Sequence, residues 1–286
     1  MDSIYTNHQK RIKLNSINDA TNLWIFGDVH RDAESCDANR WQWFLNKARK
    51  DDPEKTWYLG MGDYNDYASY SEQKALKNSN LHETTIEKFD RMVRQDVEFI
   101  TDEMKQMEGR TLGLIEGNHT WEFTSGQTAT ELMCEIMKTT YLGFLTHYTL
   151  TFEFSGGKSS NVYIVACHGK AGGKRIGTSI NQVEDMKAIF PAADIYIMGH
   201  NHDRGAWPVD VLIPTASGGK THIKQKRQFL CRSGSFLKAY EKGKGGYVTG
   251  RLLRPADLGA LKLIIGFHRD KSDGQDRVIT DIEAII

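Results

Sequence analysis

One local pattern recurs along the chain. An apolar run of β-branched and aromatic residues stops abruptly at a glycine and a polar cluster. Residues 23–26 run into Gly27-Asp28-Val29-His30, and residues 57–59 into Gly60-Met61-Gly62-Asp63. Residues 111–115 run into Glu116-Gly117-Asn118-His119, 162–167 into His168-Gly169, and 195–198 into Gly199-His200-Asn201-His202. Continuous apolar runs of this length predict strands buried on both faces. Each puts its polar residues just past the strand's C-terminal end, where α/β sheets build their sites. Between the strands, Ile86, Phe89, Met92, Val93, Val97, Ile100, Met104 and Met107 recur at helical spacing and predict a core-facing helix over 84–107. Shorter helices are expected over 40–50, 128–140 and 178–190. After about residue 205 the pattern changes to short strands, over 228–231, 247–253, 261–267 and 278–286, with glycine-rich surface loops near 172 and 243. The order predicts an α/β fold: two face-to-face mixed β-sheets flanked by helices, in a single domain spanning 1–286.

Composition narrows the class. The 286 residues are 39% hydrophobic and 26% charged, with five prolines. Their mean hydropathy is −0.52. These values exclude membrane-embedded, collagen-like and largely disordered chains. No run approaches the ~18 apolar residues of a membrane span. The first residues lack the apolar segment of a secretory signal, so a cytoplasmic protein with no membrane partner is expected. Four scattered cysteines with no C-x-x-C pair read as reduced thiols. Net charge is zero but unevenly spread: −8 over 1–157, +10 over 158–254 and −2 over 255–286. The balance argues against a general nucleic-acid coat protein, whereas the basic middle block suits an anionic substrate.

The strand ends supply the chemistry. Asp28, His30, Asp63, Asn118, His168, His200 and His202 together offer carboxylate, imidazole and amide oxygen, the donor set of a borderline divalent metal rather than calcium. Seven donors are too many for one tetrahedral ion; they suit two ions sharing a bridging carboxylate. By contrast His8, His82, His147, His222 and His268 read as ordinary core or surface histidines. Arg204, Lys220, Lys224, Lys226, Arg227 and Arg232 read as a mostly solvated face, whose nearness in sequence to His200 and His202 makes a substrate-facing stripe an open alternative.

Asp28-Val29-His30, Gly62-Asp63-Tyr64-Asn65-Asp66, Gly117-Asn118-His119, the lone His168 and Gly199-His200-Asn201-His202, in this order, resemble the motifs of the calcineurin-like metallophosphoesterases. The resemblance covers residues 23–202, and Cys231-Arg232-Ser233-Gly234-Ser235-Phe236 is similar to the strand that follows the last motif in many members. It implies the superfamily's αββα sandwich and two divalent ions, manganese first, with iron, zinc or nickel as alternatives. By the resemblance, Asp28, His30 and His202 hold one ion, Asn118, His168 and His200 the other, and Asp63 bridges. A hydroxide between the ions would attack phosphorus. His119 would be the general acid, oriented by Asp66. Two departures stand out. Thr120 occupies the place where many members carry a carboxylate after Gly-Asn-His, and Tyr67-Ala68 replace the Arg-Gly with which the phosphatase branch grips phosphate. Arg31 is expected to substitute as the substrate-binding cation, with Lys170 and Arg175 as others. The implied activity is hydrolysis of phosphate mono- or diesters. The alternative is a DNA or RNA nuclease of the repair type, so the partner is a phosphate ester, nucleotide or nucleic acid. Oligomeric state is not legible.

Overall fold

The computed structural model describes residues 6–79, 81–170, 175–217, 220–240, 252, 254–255, 257–271 and 276–286. In chain order the elements are β1 (Asn7–Leu14), β2 (Thr21–Phe26), α1 (Ala38–Arg49), β3 (Thr56–Gly60), α2 (Tyr70–Asn78) and α3 (Glu83–Glu103). They continue with β4 (Thr111–Leu114), α4 (Ala129–Ile136), β5 (Leu145–Phe154), β6 (Ser159–Cys167), α5 (Ile176–Ile189) and β7 (Ile195–Met198). The chain closes with β8 (Arg204–Ser217), β9 (Lys220–Ser233), β10 (Leu261–Asp270) and β11 (Arg277–Ile285).

Two mixed sheets form, in the orders β1-β5-β6-β7-β9-β8 and β11-β10-β2-β3-β4. The apolar runs that read as uniform are an alternation between two different cores. In β2, Leu23 and Ile25 enter the core between the sheets, whereas Trp24 and Phe26 face the cluster built with α1, α3 and α4. In β6 and β7, Ile164, Ala166, Ile195 and Ile197 point between the sheets, and Val165, Tyr196 and Met198 pack under α5. Period-two alternation therefore persists, hidden because helices cover both outer faces. The C-terminal strands form no separate layer: β8 and β9 extend the first sheet, and β10 and β11 the second.

Helix starts follow local chemistry. The Asp37 carboxylate accepts from Arg40 N at 2.9 Å to cap α1, and Ser69 with Glu72 and Thr128 with Glu131 form capping boxes at α2 and α4. The helix expected over 84–107 ends at Glu103 and finishes as a 3₁₀ turn, Lys105–Met107. Four elements escaped the pattern: β1, β5, α2 and most of the β8–β9 hairpin. β1 and β8 are sheet edges, and α2 is short and polar on its visible face, so neither kind leaves a strong apolar signature. The strand expected over 228–231 is the end of a 14-residue β9. The strand expected over 247–253, apart from Leu252, and the glycine-rich stretches near 172 and 243 lie outside the described residues. No helix among the described residues is long and apolar enough to cross a membrane.

β2, β3 and β4 run parallel in one sheet, and β6, β7 and β9 run parallel in the other. The side chains that follow β2, β3, β4, β6 and β7 meet at one edge of the sandwich, where both parallel sets end.

Candidate metal centre

Asp28, His30, Asp63, His200 and His202 all adopt left-handed backbone, with φ between 46° and 68°. Only three other non-glycine residues among those described do so. Each such residue costs roughly 1 kcal/mol, so five at one edge mark a place where the fold holds strain in order to aim side chains. Each turn immediately follows a buried strand end, which reverses the chain and brings both members of Asp-x-His and His-x-His to one side.

Their donor atoms gather into two groups. In the first, Asp28, His30 and His202 converge, with His202 Nε2 3.4 Å from Asp28 Oδ1 and the His30 and His202 rings edge to face at 5.5 Å. In the second, Asp63, His168 and His200 converge, joined by Asn118. Its Oδ1 lies 2.8 Å from His168 Nε2 and 2.6 Å from His200 Nδ1. Asp63 stands between the groups, with Oδ2 3.1 Å from His168 Nε2 and 3.8 Å from His30 Nε2.

The tautomers show what the gathering is for. His168 Nδ1 faces the Met61 carbonyl at 2.8 Å and so donates to it. Its Nε2 then presents a lone pair to Asp63, Asn118 and His200, a ring of acceptors that one proton cannot satisfy. His30 Nδ1 faces Asp66 Oδ1 at 3.1 Å, which leaves its Nε2 buried with no hydrogen-bond partner, as is Asp28 Oδ1. Buried polar atoms without partners are costly. Lone pairs aimed at one another from imidazole, carboxylate and amide oxygen are a donor set that could hold a divalent cation. Without one, protons substitute: burial pushes His168 down, but the Asp63 carboxylate outweighs it and holds His168 up at about 9. Burial, reinforced by the His168 charge, lowers His200 to about 4. Burial raises Asp63, yet His168 and His30 hold it well below the carboxylate range.

The supporting backbone leaves little freedom. Gly62 sits at φ 97°, and a Cβ there would meet His168 Nδ1 at 2.6 Å. A Cβ on Gly117 would run into the Asp63 carboxylate. The Asp28 carbonyl accepts from Phe236 N and Ser235 Oγ, each at 3.0 Å, so the segment after β9 fastens the first loop. Arg232, read from sequence as solvated face, is 0% exposed. It donates to the Gly199 carbonyl at 2.7 Å and to Ser179 O and Gln182 Oε1 on α5, tying the Gly-His-Asn-His loop to that helix. Only its place directly before Ser233-Gly234-Ser235 signalled this.

His119 stands beside both groups. Its backbone N donates to Asp63 Oδ1 at 2.9 Å, and its ring Nδ1 lies 2.8 Å from Asp66 Oδ1. Asp66 thus joins His30 and His119 through hydrogen bonds, which accounts for that trio without a cation. The Asp66 hydrogen bond raises His119 to about 9 against the opposing effect of burial.

Arg31 is not brought into the centre. Its guanidinium is held in a two-point contact by Glu103, at 2.8 and 3.0 Å, and lies over the Phe99 ring; the fork of a carboxylate on α3 holds it on that side. Lys170 and Arg175 are exposed, flanking residues outside the description. Lys226 of the basic stretch on β9 is also held away from the centre. β9 runs parallel to β7 with Ile195 opposite Phe229 and Met198 opposite Arg232, so the centre lies at the Arg232 end. Lys226 instead binds Asp194 at the other end of β7, at 2.8 Å, roughly 20 Å along the strand from Arg232 at ~3.3 Å per residue.

No protein-family model matches the sequence, and no curated protein matches it. Among solved structures, wild-type Vps29 from Entamoeba histolytica, in complex with Zn²⁺, is similar at 13% identity over 92% of this chain and 99% of that one, with a TM-score of 0.38.

Proposed function

We propose that the chain is a dinuclear metal-dependent phosphoesterase that hydrolyses phosphate mono- or diesters with His119 as general acid. The observation that carries this reading is the convergence of two donor groups on a shared Asp63, beside an imidazole with a carboxylate of its own. Asp28, His30 and His202 would hold one ion, and Asn118, His168 and His200 the other. Manganese fits this donor set, with iron, zinc and nickel as alternatives. When bound, the ions neutralise phosphate charge and make water a nucleophile near neutral pH by lowering its pKa from 15.7 to about 7.

The chain's own residues do the rest. Asp66 fixes the His119 ring through Nδ1, leaving Nε2 to face the departing oxygen. The same carboxylate keeps His119 protonated at neutral pH, the form a general acid needs. Asp63 holds the His119 backbone, so acid and ions share one support.

The nuclease alternative draws on the basic middle block; the small-ester reading is supported by Lys226, which binds Asp194 at the end of β7 far from the centre. The test is metal analysis after manganese loading, with assays against mono-, di- and cyclic phosphate esters and single- and double-stranded DNA. Two ions per chain and metal-dependent hydrolysis of a small ester are expected. A chain that binds no ion and cleaves none of these overturns the reading. Cleavage of DNA alone, with log affinity falling by ~0.9 per phosphate contacted as log salt rises, would move it to nucleic acid.

A further inference from the structure

A cleft of about 650 Å³ opens on the His119 side of the centre, between the 66–68 turn and α2. Asp66, Tyr67 and His119 line it on one side, and Glu72, Ala75 and Leu76 of α2 on the other. Gln73 fixes that side to the centre: its amide donates to Ala68 O at 2.7 Å and also to Thr120 O, next to His119. Among the described residues that line the cleft, two are carboxylates and none is Lys or Arg. A third carboxylate lies behind them, since Asp32 Oδ1 accepts from Asp66 N at 2.5 Å. The N-terminus of α2, which would otherwise attract an anion, is closed by Glu72, whose carboxylate accepts from Ser69 N at 2.8 Å and Ser69 Oγ at 2.6 Å.

We infer that this cleft seats the leaving alcohol, and that it accepts an uncharged or cationic organic group and disfavours one bearing carboxylate or phosphate. The inference deepens the phosphoesterase reading and rests on it. Water oxygen forms the new bond to phosphorus. The bond from phosphorus to the alcohol oxygen breaks with its electron pair staying on that oxygen, which takes the proton of His119. The proton released by water passes to solvent. The departing oxygen must therefore lie at His119, and the group attached to it has the cleft as its adjoining space. An anion there meets the exposed Asp66 and Glu72 carboxylates, while the one cation in the lining, protonated His119, is committed to the departing oxygen; a cation or apolar ring meets Tyr67 and Leu76 without that repulsion.

The test uses the full chain loaded with manganese and three methyl aryl phosphates matched in leaving-group acidity. Their rings carry a neutral, a trimethylammonium or a carboxylate substituent. The neutral and cationic substrates are expected to exceed the carboxylate in kcat/KM by about tenfold, and Ala75→Lys, on an exposed face of α2, to reverse that order. The three free phenols, titrated into the metal-free chain by NMR, are expected to bind in the same order. Hydrolysis of all three with equal kcat/KM, or an order that Ala75→Lys leaves unchanged, overturns this inference and leaves the phosphoesterase reading standing. No metal-dependent hydrolysis of these three, of the matching aryl phosphate monoesters or of a cyclic phosphate, by a chain that also binds no ion, overturns the phosphoesterase reading. The phenol titration then judges the cleft alone, and equal binding of the anionic phenol overturns it.

Discussion

Asp63 links the two donor groups and His119. Its Oδ2 faces His168 and His30, and its Oδ1 accepts from the His119 backbone. Asp63→Asn is expected to abolish binding of both ions, read by elemental analysis after dialysis; two stoichiometric ions retained would remove its bridging role. His119 touches the reacting oxygen in this scheme and no ion. His119→Ala should keep both ions and lower turnover of esters with poor leaving groups by ~10²–10⁴, with a much smaller loss on activated aryl esters. Equal losses on both would take His119 out of the acid role. His168 adds a pH dependence. Without metal it holds a proton up to about 9, burial being outweighed by Asp63, and an ion needs the lone pair that the proton occupies. Metal loading should therefore release a proton below that pH, and affinity should rise as pH rises from 6 to 8. Calorimetry in buffers of different ionisation enthalpy reads the proton directly, and a pH-independent affinity would contradict it. These residue types were legible in the sequence because each follows an apolar run. Arg31 was not, because the carboxylate that holds it lies 72 residues away at Glu103.

The strands place the centre, and the turns after them aim it. Parallel strands ending at a common edge explain why side chains from five separated segments meet. The left-handed turns explain why two residues of one segment face the same way. Arg232 shows how one element holds another: from the end of β9 it reaches the Gly199 carbonyl and α5 together. Burial pushes its pKa down to about 10, so it remains cationic at neutral pH, held by carbonyl and amide oxygens. Arg232→Met should cost about 2–4 kcal/mol in denaturant unfolding, through acceptors left unpaired. By loosening the turn that carries His200 and His202, it should also weaken metal binding ~10–100-fold in chelator competition. Unchanged metal affinity would restrict Arg232 to a packing role. Nothing in the local pattern marked this arginine as buried, because its acceptors come from α5 and the turn after β7. The edge strands β1 and β8 escaped for a related reason: an element covered on one side carries only half the apolar signal.

Across the whole molecule, the centre stores strain and unpaired donors that an ion would relieve, so metal occupancy and folding should be linked. An ion at 1,000 times its dissociation constant adds ~4 kcal/mol. Manganese loading should therefore raise the thermal midpoint by roughly 10 °C, and a chelator should reverse it. A midpoint indifferent to both would argue that the donors hold no ion. The succession of buried strands, the two sheets with covering helices, and the residue types gathered at the strand ends were all legible along the chain. Those follow from apolar runs and the polar residues abutting them, which are local. The folded arrangement alone set that Arg31 and Lys226 are held away from the centre, that Arg232 is an internal tie, and that a cleft lined by two carboxylates adjoins His119. Each of these depends on partners distant in sequence, and a side chain's direction is set by the partner it finds rather than by its neighbours along the chain.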